Sequence, residues 1–208
     1  MSDPLRVLIV GASGLLGRAI SAELSARHQI LSAGRTSAQF TLDLTDAASI
    51  QSCLQKAAPL DAVISAAGEV NFAPLCDFKP LPLGKSLHTL GLENKLLGQV
   101  NLALAARDVL RECGSVTLTA GILSDTPIAA GSSASMVNGA IESFVRAAAI
   151  EMPRGIRLNC VSPTVLTEAM ATYAPFFRGF ESVPAARVAL AYSRSVEGLQ
   201  TGQIYRVY

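Results

Sequence analysis

The sequence predicts a doubly wound α/β fold, in which a parallel sheet of about seven strands carries helices on both faces. Short, β-branched apolar runs alternate with longer helical segments along the chain. A glycine-rich turn at residues 11–17 stands between the first run and the first helical segment. The 208 residues, 50 % of them hydrophobic, suffice for one such layered core, and we expect a single domain over 1–208.

The elements follow in order. Residues 6–10, Arg-Val-Leu-Ile-Val, read as a strand apolar on both faces, as a central parallel strand must be. Residues 15–27 read as a helix, 29–33 and 39–42 as strands, 47–57 as a helix and 61–65 as a strand. A long helix is expected over 87–110, a strand over 115–119 and a strongly apolar helix over 135–151. Residues 156–161 form a strand, 184–194 a helix and 203–207 a last strand. The irregular stretches 71–84 and 169–183 leave the carboxyl ends of strands, where ligands bind in open α/β sheets.

A net charge of +1, with charges spread along the chain, offers no electrostatic case for nucleic acid or an anionic membrane surface. No apolar run approaches a membrane span, and the N-terminus lacks the pattern of a signal peptide, so a cytoplasmic protein is expected. Cys53, Cys76, Cys113 and Cys160 form no C-x-x-C pair, and His28 and His88 stand far apart. Reduced thiols and no metal site are therefore expected.

The turn Gly11-Ala12-Ser13-Gly14-Leu15-Leu16-Gly17 has the context a phosphate site requires. Glycines allow a tight turn and close backbone approach, and the following helix presents bare N–H groups to a pyrophosphate. Ser13 offers a hydroxyl. The second strand runs into Gly34-Arg35-Thr36-Ser37. An acid there suits the ribose hydroxyls of NAD, whereas Arg35, with Thr36 and Ser37, suits a 2′-phosphate. These residues predict a Rossmann fold binding NADP(H).

Several further segments resemble the short-chain dehydrogenase/reductase family over nearly the whole chain. Asp43-Leu44-Thr45 is similar to the family's adenine-contacting segment. Ser65-Ala66-Ala67-Gly68 is similar to its N-N-A-G segment, and the run from Arg157 through Asn159 to Pro163 to its R-x-N-x-V-x-P-G segment. Thr201-Gly202-Gln203 resembles the T-G-Q before the last strand. The resemblance implies a cofactor site that also includes Thr119, Asn138, Pro163, Thr164, Val165 and Thr167. The glycine spacing is G-x-x-G-x-x-G, closer to extended or atypical members, and Thr164 replaces a usual glycine.

The resemblance further implies a tyrosine proton donor, a lysine four residues later, a serine that polarises the carbonyl, and an asparagine that holds a water. No tyrosine here has lysine four residues on. Placing residues 139–149 beside the family's helix puts Asn138 at the lysine position and Ala134 at the tyrosine position. Gly121 falls at the serine position and Lys95 at the asparagine position.

Two readings stand open. In one, the chain is an NADP(H)-dependent oxidoreductase of a small carbonyl or alcohol substrate with relocated acid–base groups. Lys95 then stabilises oxyanion charge or shuttles a proton, Asn138 holds nicotinamide ribose, and Tyr173 or a hydroxyl of Ser133, Ser135 or Thr119 assists. In the other, it is a catalytically inactive NADP(H)-binding sensor or regulatory partner. The glycine spacing alone suggests a nucleotide-sugar epimerase or reductase, and the small C-terminal part opposes it. Segments 87–110 and 135–151 are apolar over more than one face, so a homodimer or homotetramer is expected, since in relatives the corresponding helices pair between subunits.

Overall fold

The computed structural model describes residues 3–36 and 38–208. It contains one seven-stranded, all-parallel sheet in the order β3-β2-β1-β4-β5-β6-β7. The strands are β1 (Arg6–Val10), β2 (Gln29–Gly34), β3 (Phe40–Thr41), β4 (Leu60–Ser65), β5 (Leu110–Thr119), β6 (Arg157–Pro163) and β7 (Ile204–Val207). The helices are α1 (Leu15–Ser25), α2 (Ala47–Ala57), α3 (Gly98–Val109), α4 (Ser132–Glu151), α5 (Met170–Tyr173) and α6 (Ala185–Glu197).

Side chains alternate across a strand, so the apolar run of β1 feeds two cores. Val7 and Ile9 pack with Ile20 and Leu24 of α1 and Val188 and Tyr192 of α6. Leu8 and Val10 pack with Ile50 and Leu54 of α2, Leu102 of α3 and Ile141 of α4. Helices thus cover both faces, as the doubly wound reading requires. From β1 the chain runs outward to β2 and β3, then crosses to β4 on the other side. The carboxyl ends of β1 and β4 therefore diverge into a crevice, the usual ligand position in such sheets.

Two elements depart from expectation. The helix expected over 87–110 is divided: a 3₁₀ turn at Leu87–Thr89, a π-helical turn at Leu92–Leu97, then α3. Tertiary hydrogen bonds from Asn94 and Lys95 stabilise the wide turn, and hydrophobic periodicity does not register them. β5 starts at Leu110 instead of 115, because its pairing with β4 jumps from Leu60–Leu110 to Ala62–Ser115 around a left-handed Cys113 (φ 59°). The regular ladder begins at Ser115, where alternation is legible.

Two of the family-like segments prove to be structural. Arg157 donates to the carbonyls of Ser195 and, at 3.0 Å, Val196, closing the last turn of α6, where cations are favourable. Asn159 Nδ2 donates to Ser195 Oγ and to the Gln200 carbonyl, and its Oδ1 accepts Gln203 N–H at 3.0 Å. Leu158 N–H donates to Thr201 Oγ1 and Gly202 N–H to the Leu158 carbonyl. These bonds set β7 against β6. Among the described residues, no helix is long and apolar enough to cross a membrane.

Candidate active site

A cleft of about 280 Å³ opens at the divergence of β1 and β4. Its walls bring together Gly11, Ser13 and Gly14 after β1, Arg35 and Thr36 after β2, Asp43 and Leu44 after β3, and Ala66, Ala67 and Gly68 after β4. Ser37 lies outside the described residues. Leu15, Leu16 and Gly17 form the first turn of α1 at the cleft floor. Glu69 and Asn94 also line the cleft, and the sequence reading missed them; Glu69 N–H donates to Asn94 Oδ1 at 3.0 Å.

The floor is built for an anion. Gly14 precedes α1 and supplies no capping side chain, and the first turn carries no acid, so the positive end of the helix faces the cleft without an internal counter-charge. Gly17 is required by contact: a Cβ there falls 2.1 Å from the Gly11 carbonyl oxygen. Arg18 donates to the Ser13 carbonyl and steadies the turn. Arg35 touches Glu69 at 3.3 Å, with the two side chains 67 % and 58 % exposed. An ion pair so exposed is worth little, and the guanidinium stays accessible to a stronger anion. Asp43 is held below the usual carboxylate range by the backbone N–H and hydroxyl of Thr45, with a smaller contribution from Arg35.

The second half of the site lies beyond Gly68, toward β5 and β6. Lys95, from the π-helical turn, is buried. Its Nζ donates to Asn138 Oδ1 at 2.8 Å and to the Ala120 carbonyl at 3.1 Å. An ammonium has three N–H donors, so one is left over. Burial pushes the Lys95 ammonium down to about 8. Gly68, at φ 128°, is needed beside it, since a Cβ there falls 2.6 Å from Lys95 Cγ. Residues 95 and 138, which the sequence reading set at the family's asparagine and lysine positions, are thus in direct contact.

Ala134 and Gly121 supply neither phenol nor hydroxyl at their positions. Ala134 instead packs under the loops, in a cluster with Ile122, Leu123, Val165 and Phe177. Tyr173, on α5, joins that cluster and lies 5.7 Å from Phe72, centroid to centroid. Thr119 faces away from the cleft: its hydroxyl donates to the Ser65 carbonyl and accepts from Tyr192 at 2.6 Å, while Gln99 binds its backbone on both sides. Pro163 ends β6, and Thr164 N–H donates to the Val207 carbonyl. Thr164 Oγ1 donates to the Glu181 carbonyl at 3.1 Å, tying the loop after β6 to the segment before α6. Val183 N–H donates to the Val165 carbonyl, and Thr167 pairs through its backbone with Val183 and through its hydroxyl with Ser182. Ser133 Oγ donates to the His88 carbonyl, whereas Ser135 Oγ is buried with no partner among the described residues.

Glu142, also missed, lies one helical turn beyond Asn138 and is buried. Its carboxylate accepts from Ser124 at 2.6 Å and Ser162 at 2.9 Å, and pairs with Arg146 at 3.3 Å and Arg206 at 3.4 Å. It joins α4 to the turn after β5, the end of β6 and β7. An acid four residues after Asn138, on the same helix face, was the available signal.

The family whose model is described as enoyl-(acyl carrier protein) reductase matches residues 13–199. No curated protein sequence matches the chain. Among solved structures, the protein lin1944 from Listeria innocua is 45 % identical, with 98 % of this chain and 100 % of that one covered and a TM-score of 0.93. A small-chain dehydrogenase in complex with NADPH is 23 % identical over 99 % of this chain and 97 % of that one, TM-score 0.84. The 3-hydroxyacyl-CoA dehydrogenase type-2 from Mycobacterium avium is 19 % identical over 97 % and 93 %, TM-score 0.81. The match over residues 13–199, together with this fold, establishes that the chain belongs to the short-chain dehydrogenase/reductase family.

Proposed function

We propose that the chain is an NADP(H)-dependent oxidoreductase acting on a small carbonyl–alcohol pair, with Lys95 as the charged group at the reacting oxygen. The buried Lys95–Asn138 pair carries this reading. An ammonium with two donors anchored and one spare is a preorganised site for developing negative charge.

The cleft fits the cofactor on its own terms. Uncapped amides of the first turn of α1, with Ser13, take the pyrophosphate; Arg35, Thr36 and Ser37 take the additional phosphate; Asp43 and Leu44 flank the adenine. Ala66, Ala67 and Gly68 line the way to the nicotinamide, with Asn138, Pro163, Thr164, Val165 and Thr167 around it, whereas Thr119, spent on Ser65, Gln99 and Tyr192, has no group left for the cofactor. The NADPH bound by a similar fold accords with this assignment. When bound, the nicotinamide supplies or accepts a hydride. The chain's part is to polarise the oxygen through Lys95 and to move a proton. Asn138 is a positioning residue that fixes the ammonium. Tyr173 brings the one phenol of the lid into the cluster around Ala134 and serves as a second proton source.

Ala134 and Gly121 also favour a second reading, a protein that binds NADP(H) without turnover. Turnover separates the two. After NADPH binding is measured, the chain is assayed with ketones, aldehydes, quinones and enones. Turnover that falls at least 100-fold in Lys95→Met and is partly kept in Lys95→Arg supports the oxidoreductase, with about 100-fold being what one charge-stabilising donor supplies. NADPH binding with no oxidation supports the sensor. Arg35→Ala is expected to weaken NADPH about tenfold or more and leave NADH nearly unchanged. Equal losses for both would remove Arg35 from the site.

The assembly reading is a homo-oligomer through α3 and α4. Leu104, 43 % exposed, lines a groove of about 300 Å³ there with Phe144 and Ala148.

A further inference from the structure

Five of the chain's eleven phenylalanines and tyrosines (seven and four) gather at one place. Phe72 comes from the loop after β4; Tyr173, Phe176, Phe177 and Phe180 come from the segment between β6 and α6. Phe72 contacts three rings of the other wall, at centroid distances of 5.7, 5.3 and 6.4 Å. The cluster rests on Ala134 and Val165, beside the Lys95–Asn138 half of the site.

We infer that these two loops form an aromatic clamp, and that the substrate is an uncharged, planar aromatic carbonyl compound gripped between Phe72 and the rings of the lid. The inference rests on the oxidoreductase reading for its chemistry and on the ring geometry for its ligand class.

Ring stacking closes the clamp, and a flat aromatic ligand replaces that stacking in kind. Inserting one between Phe72 and the lid gives up the tilted and edge contacts of Phe72 with Tyr173, Phe176 and Phe177 and replaces them with ring contacts on both faces of the ligand. An alkyl chain regains the buried area but not the ring–ring term. An anionic tail gains nothing from the rings themselves, whose faces carry the negative end of the π quadrupole. Of the lid's charged groups, the Glu168 carboxylate accepts Ala185 N–H at the start of α6, and Arg178 and Glu181 are exposed to solvent. Phe176, 37 % exposed, is the ring of the cluster that solvent and a ligand reach most readily. In the reaction, the carbonyl carbon gains a hydride and the oxygen a proton, so an aryl ketone becomes an aryl carbinol while NADPH is oxidised to NADP⁺.

The full chain, saturated with NADP⁺, is titrated calorimetrically with 2-acetylnaphthalene, 2-nonanone and acetoacetyl-CoA. Binding of the naphthyl ketone roughly tenfold or more tighter than the other two is expected. Phe72→Leu, which keeps apolar volume without a ring, and Phe72→Ala are expected to abolish that preference with NADPH affinity unchanged. Equal or tighter binding of the alkyl ketone or the thioester overturns the clamp, as does a preference that survives Phe72→Leu. If the chain has no affinity for NADP⁺, the same titration without nucleotide decides the clamp. Naphthyl-ketone binding that is lost in both variants but never followed by reduction removes the oxidoreductase reading and leaves the clamp standing.

Discussion

Replacing Lys95 by methionine tests the buried ammonium without reference to any substrate. In the unfolded chain this lysine titrates near 10.5; in the fold, burial brings it to about 8. Below pH 8 both states are protonated, and the full cost of burying the charge weighs on the fold. Between pH 8 and 10.5 the unfolded chain binds the extra proton, so stability rises with pH. At about 1.4 kcal/mol per pH unit, the gap amounts to about 3 kcal/mol. Two buried thiols act in the opposite direction. Burial pushes Cys53 up to about 11 and Cys160 up to about 12, so they favour ionisation in the unfolded chain and lower stability as pH climbs past 9. The difference between wild type and Lys95→Met cancels the Cys53 contribution, while Cys160, which the lysine holds down, cancels only in part and is best removed by making both proteins in a Cys160→Ala background. Stability at pH 7 alone is not diagnostic, because the variant also forfeits two hydrogen bonds, each worth about 1 kcal/mol. Urea denaturation followed by circular dichroism at pH 7, 8, 9 and 10 gives the difference curve. Wild type should gain about 2 kcal/mol on the variant between pH 8 and pH 10, with the rest lying above. A flat curve would refute the claim that this lysine is buried and charged at neutral pH.

Three other perturbations test other parts of the structure. Gly17→Ala sets a methyl against the Gly11 carbonyl at 2.1 Å, so NADPH affinity should collapse and the melting temperature fall; unchanged affinity would dissociate the turn from the cofactor. Glu142→Ala strips the acceptor from Ser124 and Ser162 and leaves Arg146 without its carboxylate, while Arg206 keeps Asp125. A loss of about 3 kcal/mol by denaturant titration is expected, and a loss under about 1 would show the network to be dispensable. Leu104→Asp places a charge on the α3–α4 face, and light scattering should register a smaller species than wild type; a wild type that is itself monomeric contradicts the assembly proposal.

The glycine turn and the alternation of parallel strands with covering helices were legible because they follow from local rules: a β-branched strand, glycines where backbone must approach backbone, and a helix start. Arg35 was legible for a related reason, since a residue at the end of the second strand has only one place to go. Lys95 and Asn138 were found by position, but their contact was not, because a pairing 43 residues apart leaves no periodic trace. Glu142 went unread in a helix otherwise taken as apolar, although a lone acid on the inner face of such a helix needs partners and is itself a signal. Phe72 was hidden in a proline-rich loop, where a single ring has no pattern around it. The divided helix at 87–110 was invisible for the same reason as the Lys95 contact: the bonds that widen it come from other elements.

That wide turn sets two orientations independently. Each residue advances an α-helix by about 100°, so one added residue shifts everything upstream by that phase relative to everything downstream. Leu102, Ala103 and Ala106 keep their seat on the sheet while the ammonium upstream is aimed by the extra step. Gaining or losing one residue here re-aims a charged group through more than a quarter revolution and leaves the packed stripe untouched. No point substitution in a regular helix achieves this.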